Sequence, residues 1–132
     1  MTKKPKTTIK SYYELFTSEE DDLVYDDENT QNPFTGVIED FHANGKLFSR
    51  VNYKNGEQDG LSEHYHENGQ LRLRINYKNR KKDGLNEGFY DNGQLQFKLN
   101  YKNGKKDGLW EYFDEKGNLT KSETWENGKL VE

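Results

Sequence analysis

The residues of this chain that could do chemistry recur at one fixed spacing. Glu39, Glu63, Glu87 and Glu111 fall 24 residues apart, and Asp83 and Asp107 keep the same interval. Carboxylate pairs are the machinery of glycoside hydrolysis. A group that returns once per unit is more simply structural, and an Asp inside Lys-Lys-Asp-Gly can bond local backbone. His42 and His66 are also 24 apart, with His64 two residues before the latter. Alternate strands of a sheet lie roughly 9–10 Å apart, too far for one ion at Zn–N distances near 2 Å. Tyr90 and Asp114 take the histidine's place in the later units. The chain has no Cys, so thiol nucleophiles, disulfides and Cys-based zinc sites are excluded. No glycine cluster opens a helix, so a phosphate-cradling loop is unsupported. The expectation is a protein without catalytic residues, metal or cofactor.

Two patterns suit binding instead. Lys78 with Lys81-Lys82, and Lys102 with Lys105-Lys106, gather cations along one edge. They could meet anionic lipid at about 1 kcal/mol per basic residue. Tyr53, Tyr77, Tyr101 and Trp125 form an aromatic stripe, and Tyr and Trp are the residues most enriched at binding hot spots.

The elements that carry these residues follow from the repeat. Gly36, Gly60, Gly84 and Gly108 recur every 24 residues, as do Leu47, Leu71, Leu95 and Leu119. Four units result, at about 36–59, 60–83, 84–107 and 108–130. Each holds two turn signals, such as Asn68-Gly69 and Asn103-Gly104, and Asn-Gly is the strongest short-range hairpin signal. The fold class is therefore all-β: a single elongated, twisted antiparallel β-meander built from 24-residue hairpin repeats. Lys116 in Glu115-Lys116-Gly117 suits a three-residue loop with a type I turn and a glycine bulge. Arg80 replaces the expected Gly of its turn and should be mildly strained. Three-residue loops pair 65 with 71 and 63 with 73. Leu61, Tyr65, Leu71, Leu73, Ile75 and Tyr77 then share one apolar face with Tyr53, Phe89, Tyr101 and Trp125, opposite a polar face carrying Arg72, Arg74 and Lys98. That register leaves Glu63 and its equivalents among apolar neighbours with no partner.

The pattern Gly84-Leu85-Asn86-Glu87-Gly88-Phe89, Asn92-Gly93-Gln94-Leu95, then Tyr101-Lys102-Asn103-Gly104-Lys105-Lys106-Asp107-Gly108 resembles the MORN repeat. It is closer still to the bacterial variant found in the YwqK-type antitoxin family. The resemblance covers residues 33–132. It implies stacked hairpins in an elongated sheet, and a scaffold or phospholipid-binding role in some members. It supplies no catalytic residues.

Composition agrees with a thin, polar fold. The 132 residues are 30 % hydrophobic and 33 % charged, against a usual quarter or so charged. Aromatics at 14 % argue against simple disorder. No apolar run approaches the ~18 residues of a membrane span, so a cytoplasmic location is expected. Residues 1–32 hold four Lys and eight acids, while the rest balance at 16 and 16. A neutral repeat body argues against nucleic acid. The acidic segment, with Tyr12, Tyr13, Leu15 and Phe16, should cap the first strand or fold over the sheet. An exposed sheet face needs a cover. The expected partner is another protein, a toxin if the resemblance extends that far, with self-association through the apolar face, a membrane-lipid scaffold and a purely structural repeat protein as alternatives. The candidate contacts are the stripe, Tyr65, Phe89, Arg74 and Lys98, with Trp110 and Tyr112 as non-repeating aromatics.

Overall fold

The computed structural model describes residues 8–11, 14–18, 20–27 and 31–132. Tyr12 and Tyr13 lie outside them. The described strands are β1 (Ile9–Lys10), β2 (Phe16–Thr17), β3 (Val24–Tyr25), β4 (Gly36–Phe41), β5 (Leu47–Lys54), β6 (Glu57–Tyr65) and β7 (Leu71–Lys78). They continue as β8 (Lys81–Lys82), β9 (Gly84–Phe89), β10 (Leu95–Lys102), β11 (Lys105–Phe113), β12 (Leu119–Glu126) and β13 (Lys129–Leu130). One 11-stranded sheet runs in chain order from β4, with β1 added in parallel at its first edge and β8 paired to β7. Strands β2 and β3 form a separate small ladder.

Two kinds of turn alternate along the chain. At Asn55-Gly56 and Asn103-Gly104 both residues have positive φ, between 50° and 81°, which gives two-residue hairpins closed by Lys54–Glu57 and Lys102–Lys105. Arg80 adopts φ 67° in the equivalent turn, the strained position its side chain predicts. The other turns are three-residue loops. The Gly69 N–H donates to the His66 carbonyl, the His66 N–H donates to the Gln70 carbonyl, and Gly69 takes φ 91°. Lys116 escapes positive φ because Gly117 carries it.

The loops close as expected, with Tyr65 opposite Leu71, but the register then shifts. His64 faces Leu73 and Glu63 faces Arg74, so Arg72 is the extra residue of a β-bulge. Phe48, Gln96 and Thr120 occupy the same place in the other units. A one-residue slip sends a strand's side chains to the opposite face. The single apolar face is therefore corrected to two mixed faces. The first, here the ladder face, carries Tyr65, Leu71, Phe89, Leu95, Leu61 and Leu85 together with the repeated glutamates, Arg74 and Lys98. The second, the stripe face, carries Tyr53, Tyr77, Tyr101 and Trp125 with Leu73, Ile75, Trp110 and Tyr112.

A second irregularity follows each Asp-Gly. Val51 pairs with Ser62 and Tyr53 with Gln58, so Asn52 faces a bulge containing Gly60 at φ 93°. The Asn52 amide donates to the Leu61 carbonyl at 2.7 Å, and Asn76 and Asn100 repeat this at Leu85 and Leu109. The recurring Asn of Asn-Tyr-Lys thus satisfies a carbonyl that the bulge displaces from the ladder.

The best-buried cluster lies at the first unit. Val24, Phe34 and Ile38 pack together, with Leu15 and Tyr53 against them. The Val24 N–H donates to Gly56 O, the Phe34 N–H to Val24 O and the Gly56 N–H to Phe34 O, at 2.7–3.0 Å. Gly56 is needed there because a Cβ would stand 2.8 Å from the Val24 carbonyl oxygen. Strand β1 covers the edge of β4, and Val24 of β3 packs with Phe34 beside Tyr53; of the apolar N-terminal cluster only Leu15 joins this packing among the described residues, and Phe16 is exposed.

Candidate interaction surface

The ladder face is organised by charge. Cross-strand neighbours run Glu39–Arg50–Glu63–Arg74–Glu87–Lys98–Glu111, one residue per strand. Arg50 Nη1 lies 3.4 Å from Glu39, Arg74 Nη1 lies 3.5 Å from Glu87, and Arg74 Nε lies 3.9 Å from Glu63. The glutamates are not stranded among apolar residues. They are one half of an alternating ladder whose other half is Arg50, Arg74 and Lys98, the last two being candidate contacts. Opposite charges directly across strands contribute roughly 0.2–1 kcal/mol each. Tyr65 and Leu71, then Phe89 and Leu95, form an apolar row beside the ladder. Burial and the neighbouring Glu63 push the Tyr65 hydroxyl above its ordinary range.

Polar side chains tie each unit to the next. His42 Nε2 lies 2.9 Å from Tyr65 O and His66 Nε2 lies 2.8 Å from Phe89 O. Tyr90 fills the same role, its hydroxyl donating to Phe113 O at 2.7 Å. Asp114, the next in this series, instead accepts from the Lys116 and Asn118 N–H groups of its own turn. Those bonds hold its carboxyl below the usual carboxylate range, Asn118's first among them. The loop asparagines do likewise: Asn44, Asn68 and Asn92 donate to carbonyls 23 residues on. Asp83 and Asp107 bond not their own turns but the Asn103 and Asn127 N–H groups of the next, both at 3.0 Å. His42, His66 and Tyr90 are thus inter-repeat ties rather than free surface groups, while His64 Nε2 lies 3.2 Å from Ser62 Oγ of its own strand. Among the described residues no cluster of His, Asp and Glu could hold a metal ion.

The stripe face gathers the remaining candidates. Tyr53, Tyr77, Tyr101 and Trp125 pair with Gly36, Gly60, Gly84 and Gly108 respectively, so each large ring has a neighbour without a side chain. Gly88 shows the same demand from a different ring: a Cβ there would come within 2.3 Å of Phe97. Burial pushes the Tyr77 and Tyr101 hydroxyls above their ordinary range. Trp110 and Tyr112, the non-repeating aromatics, share this face. Trp110 is buried at 4 % exposure, and its indole N–H donates to Asn100 O at 2.7 Å. Its ring centroid lies 5.1 Å from Tyr101 and 5.8 Å from Trp125. Tyr112 lies at partial exposure under Lys121, 5.6 Å away. The structure therefore joins Tyr77, Tyr101, Trp110, Tyr112 and Trp125 on one face, and separates them from Tyr65, Phe89, Arg74 and Lys98 on the other.

Above the stripe lies a recurring position that includes Lys82 and Lys106, two cations expected along the turn edge. Phe34, Gln58, Lys82 and Lys106 are 24 apart, and each precedes a stripe residue by 19. Phe34 packs on Tyr53 with centroids 6.3 Å apart. Lys82 Nζ stands 5.2 Å over Tyr101, and Lys106 Nζ stands 4.2 Å over Trp125 and 4.5 Å over Trp110. The signal was visible as the second Lys of Lys-Lys-Asp-Gly. Only the bulge reveals that Lys82 and Lys106 lie on rings while Lys81 and Lys105 line the turn edge.

The sequence profile of the MORN repeat variant matches residues 34–55, 58–79, 82–103 and 106–127, two thirds of the chain. The chain belongs to the MORN repeat variant family. No curated protein matches it. Membership accounts for the four-unit period and the hairpin sheet. In this MORN repeat protein the residues that depart from the period, Trp110, Tyr112, Lys121 and Arg80, are what distinguishes one unit's surface from another's. No helix among the described residues is long and apolar enough to cross a membrane.

Proposed function

We propose that this chain is a non-enzymatic protein-interaction module that binds a partner protein through the stripe face from Tyr77 to Trp125. One observation carries the reading. The ladder face alternates its charges strand by strand and pairs Arg50 with Glu39 and Arg74 with Glu63 and Glu87, whereas the stripe face concentrates Tyr77, Tyr101, Trp110, Tyr112 and Trp125 beyond the N-terminal segment that covers Tyr53. Large aromatic side chains gathered on one side of a thin sheet are the composition of a binding hot spot. In its finer form the partner is a toxin neutralised by steric cover, in the cytoplasm of a bacterium, as the antitoxin-like pattern of the repeats suggests. The test is capture from a lysate of the source cell with wild-type protein and a Tyr77→Ala/Tyr101→Ala variant that still folds. A stoichiometric partner lost in the variant supports the reading, and toxicity of that partner expressed alone supports the finer form. A partner retained at unchanged affinity sinks it.

A second reading rests on a different observation. Lys78 faces Lys81 and Lys102 faces Lys105 across the two-residue turns, where the first and last units pair Lys54 with Glu57 and Glu126 with Lys129. Like charges directly opposite destabilise a hairpin. A cationic edge held at that cost suits an anionic membrane surface. Cosedimentation with phosphatidylserine vesicles at physiological salt would favour it, and protein left in the supernatant would exclude it.

A further inference from the structure

We infer that the stripe face between Tyr77 and Trp125 receives an extended acidic segment of a partner protein, laid across Lys82 and Lys106. This rests on the interaction-module reading and specifies the chemistry of the partner.

Three observations converge. First, Lys82 and Lys106 are cations fixed over aromatic rings, one repeat apart, and the ion pairs of the described residues do not include them. The acids nearest in sequence, Asp83 and Asp107, spend an oxygen each on the next turn's backbone. Alternate strands put the two ammonium groups roughly 10 Å apart, about three residues of an extended chain. Second, the chain already shows such a segment on this face. Glu20-Asp21-Asp22-Leu23-Val24-Tyr25 is acidic with apolar residues between, and Val24 packs with Phe34 beside Tyr53. Its backbone is anchored to Gly56, and Asp22 lines a cleft with Tyr53, Tyr77 and Arg80. Third, the units differ where this segment ends. Position 34 is an apolar Phe under the chain's own cover, and the equivalent positions beyond Gln58 are the cations Lys82 and Lys106. The face is thus apolar where its own segment lies on it and cationic where that segment stops. A second acidic segment would place carboxylates on Lys82 and Lys106 and apolar residues over Tyr77 and Trp125.

The test uses the whole chain and a synthetic peptide of residues 20–27, with a neutral peptide Gln-Asn-Asn-Leu-Val-Tyr-Asn-Asn as control. The chain's two tryptophans, Trp110 and Trp125, both lie in the proposed site, so their emission reports occupancy. Anisotropy of the fluorescein-labelled peptide provides a second readout. The expected result is saturable binding of the acidic peptide at low salt. Affinity should fall about tenfold or more for the neutral peptide and for a Lys82→Gln/Lys106→Gln variant that keeps the wild-type thermal midpoint, because screened surface charge governs such contacts. No binding by either readout, equal binding of the neutral peptide, or an unaffected variant overturns the inference. So does sedimentation on phosphatidylserine vesicles without peptide binding, which assigns the cations to lipid. If the peptide fails while a cellular partner is still lost with Tyr77→Ala/Tyr101→Ala, the acidic chemistry alone falls. If that variant keeps its partner, the module reading falls with it.

Discussion

Arg74 reaches Glu87 across the boundary between two repeats, Nη1 to Oε1 at 3.5 Å, while its Nε stays 3.9 Å from Glu63 within its own unit. This residue fastens one unit to the next. Replacing it with Leu leaves two carboxylates, one on each strand flanking β7, facing an apolar side chain. Arg74→Leu should cost about 1–2 kcal/mol, near the upper end for partly exposed pairs because two partners are orphaned. Urea unfolding at low and high salt checks this. Part of the loss should return at 1 M salt, where the like charges are screened.

Gly88 has no side chain because the Phe97 ring stands where a Cβ would be, at 2.3 Å. Gly88→Ala should destabilise by about 2 kcal/mol through overpacking. Phe97→Leu alone should also destabilise, but the double variant should recover part of the Gly88→Ala cost. A double-mutant cycle with a coupling energy near zero would place the ring elsewhere.

Tyr90 ties the third unit to the fourth by a single hydroxyl bond to Phe113 O. Tyr90→Phe should cost about 1 kcal/mol. Amide exchange should quicken in the C-terminal hairpin and stay unchanged around Val24 and Ile38.

Arg80 holds φ 67° where its equivalents are glycines, and gains a 3.7 Å contact to Glu57 in exchange. That exposed ion pair is weak. Arg80→Gly should therefore raise stability by about 0.5–1 kcal/mol, read as a higher urea midpoint at unchanged slope.

Burial first, and then the Arg72 guanidinium, hold the His64 imidazole below its ordinary value of 6.5. The unfolded chain therefore takes up the proton first as pH falls. His64 contributes stability that is present above about pH 6.5 and is lost as pH falls toward its lower folded value. The carboxyls held low, Asp21, Asp27 and Asp114, titrate below 3.8, outside that window. Thermal midpoints should fall between about pH 7.5 and pH 5 in the wild type and fall less in His64→Gln.

The period and the turn types could be read from residues such as Gly45, Asn68 and Lys116, because each demands a particular backbone. The faces could not. Leu71 does pair with Tyr65, but Arg72 then bulges out, and every side chain from Leu73 to Tyr77 changes sides relative to Glu63. A bulge at Phe48, Arg72, Gln96 and Thr120 has no shared residue type to announce it. The signal lay in the charges instead. Glu39 and Arg50, Glu63 and Arg74, and Glu87 and Lys98 each stand 11 apart, which only the shifted register brings face to face. The same shifted register packs Trp110 between Tyr101 and Trp125.

The account holds that the two faces have different work, and site-specific photo-crosslinking in the source cell tests this directly. A photoreactive phenylalanine replaces Tyr77 or Tyr112 on the stripe face, or Leu71 on the ladder face, one position at a time. The account predicts a discrete protein adduct from Tyr77 and Tyr112 and none from Leu71. An adduct from Leu71 with none from the stripe positions would contradict it.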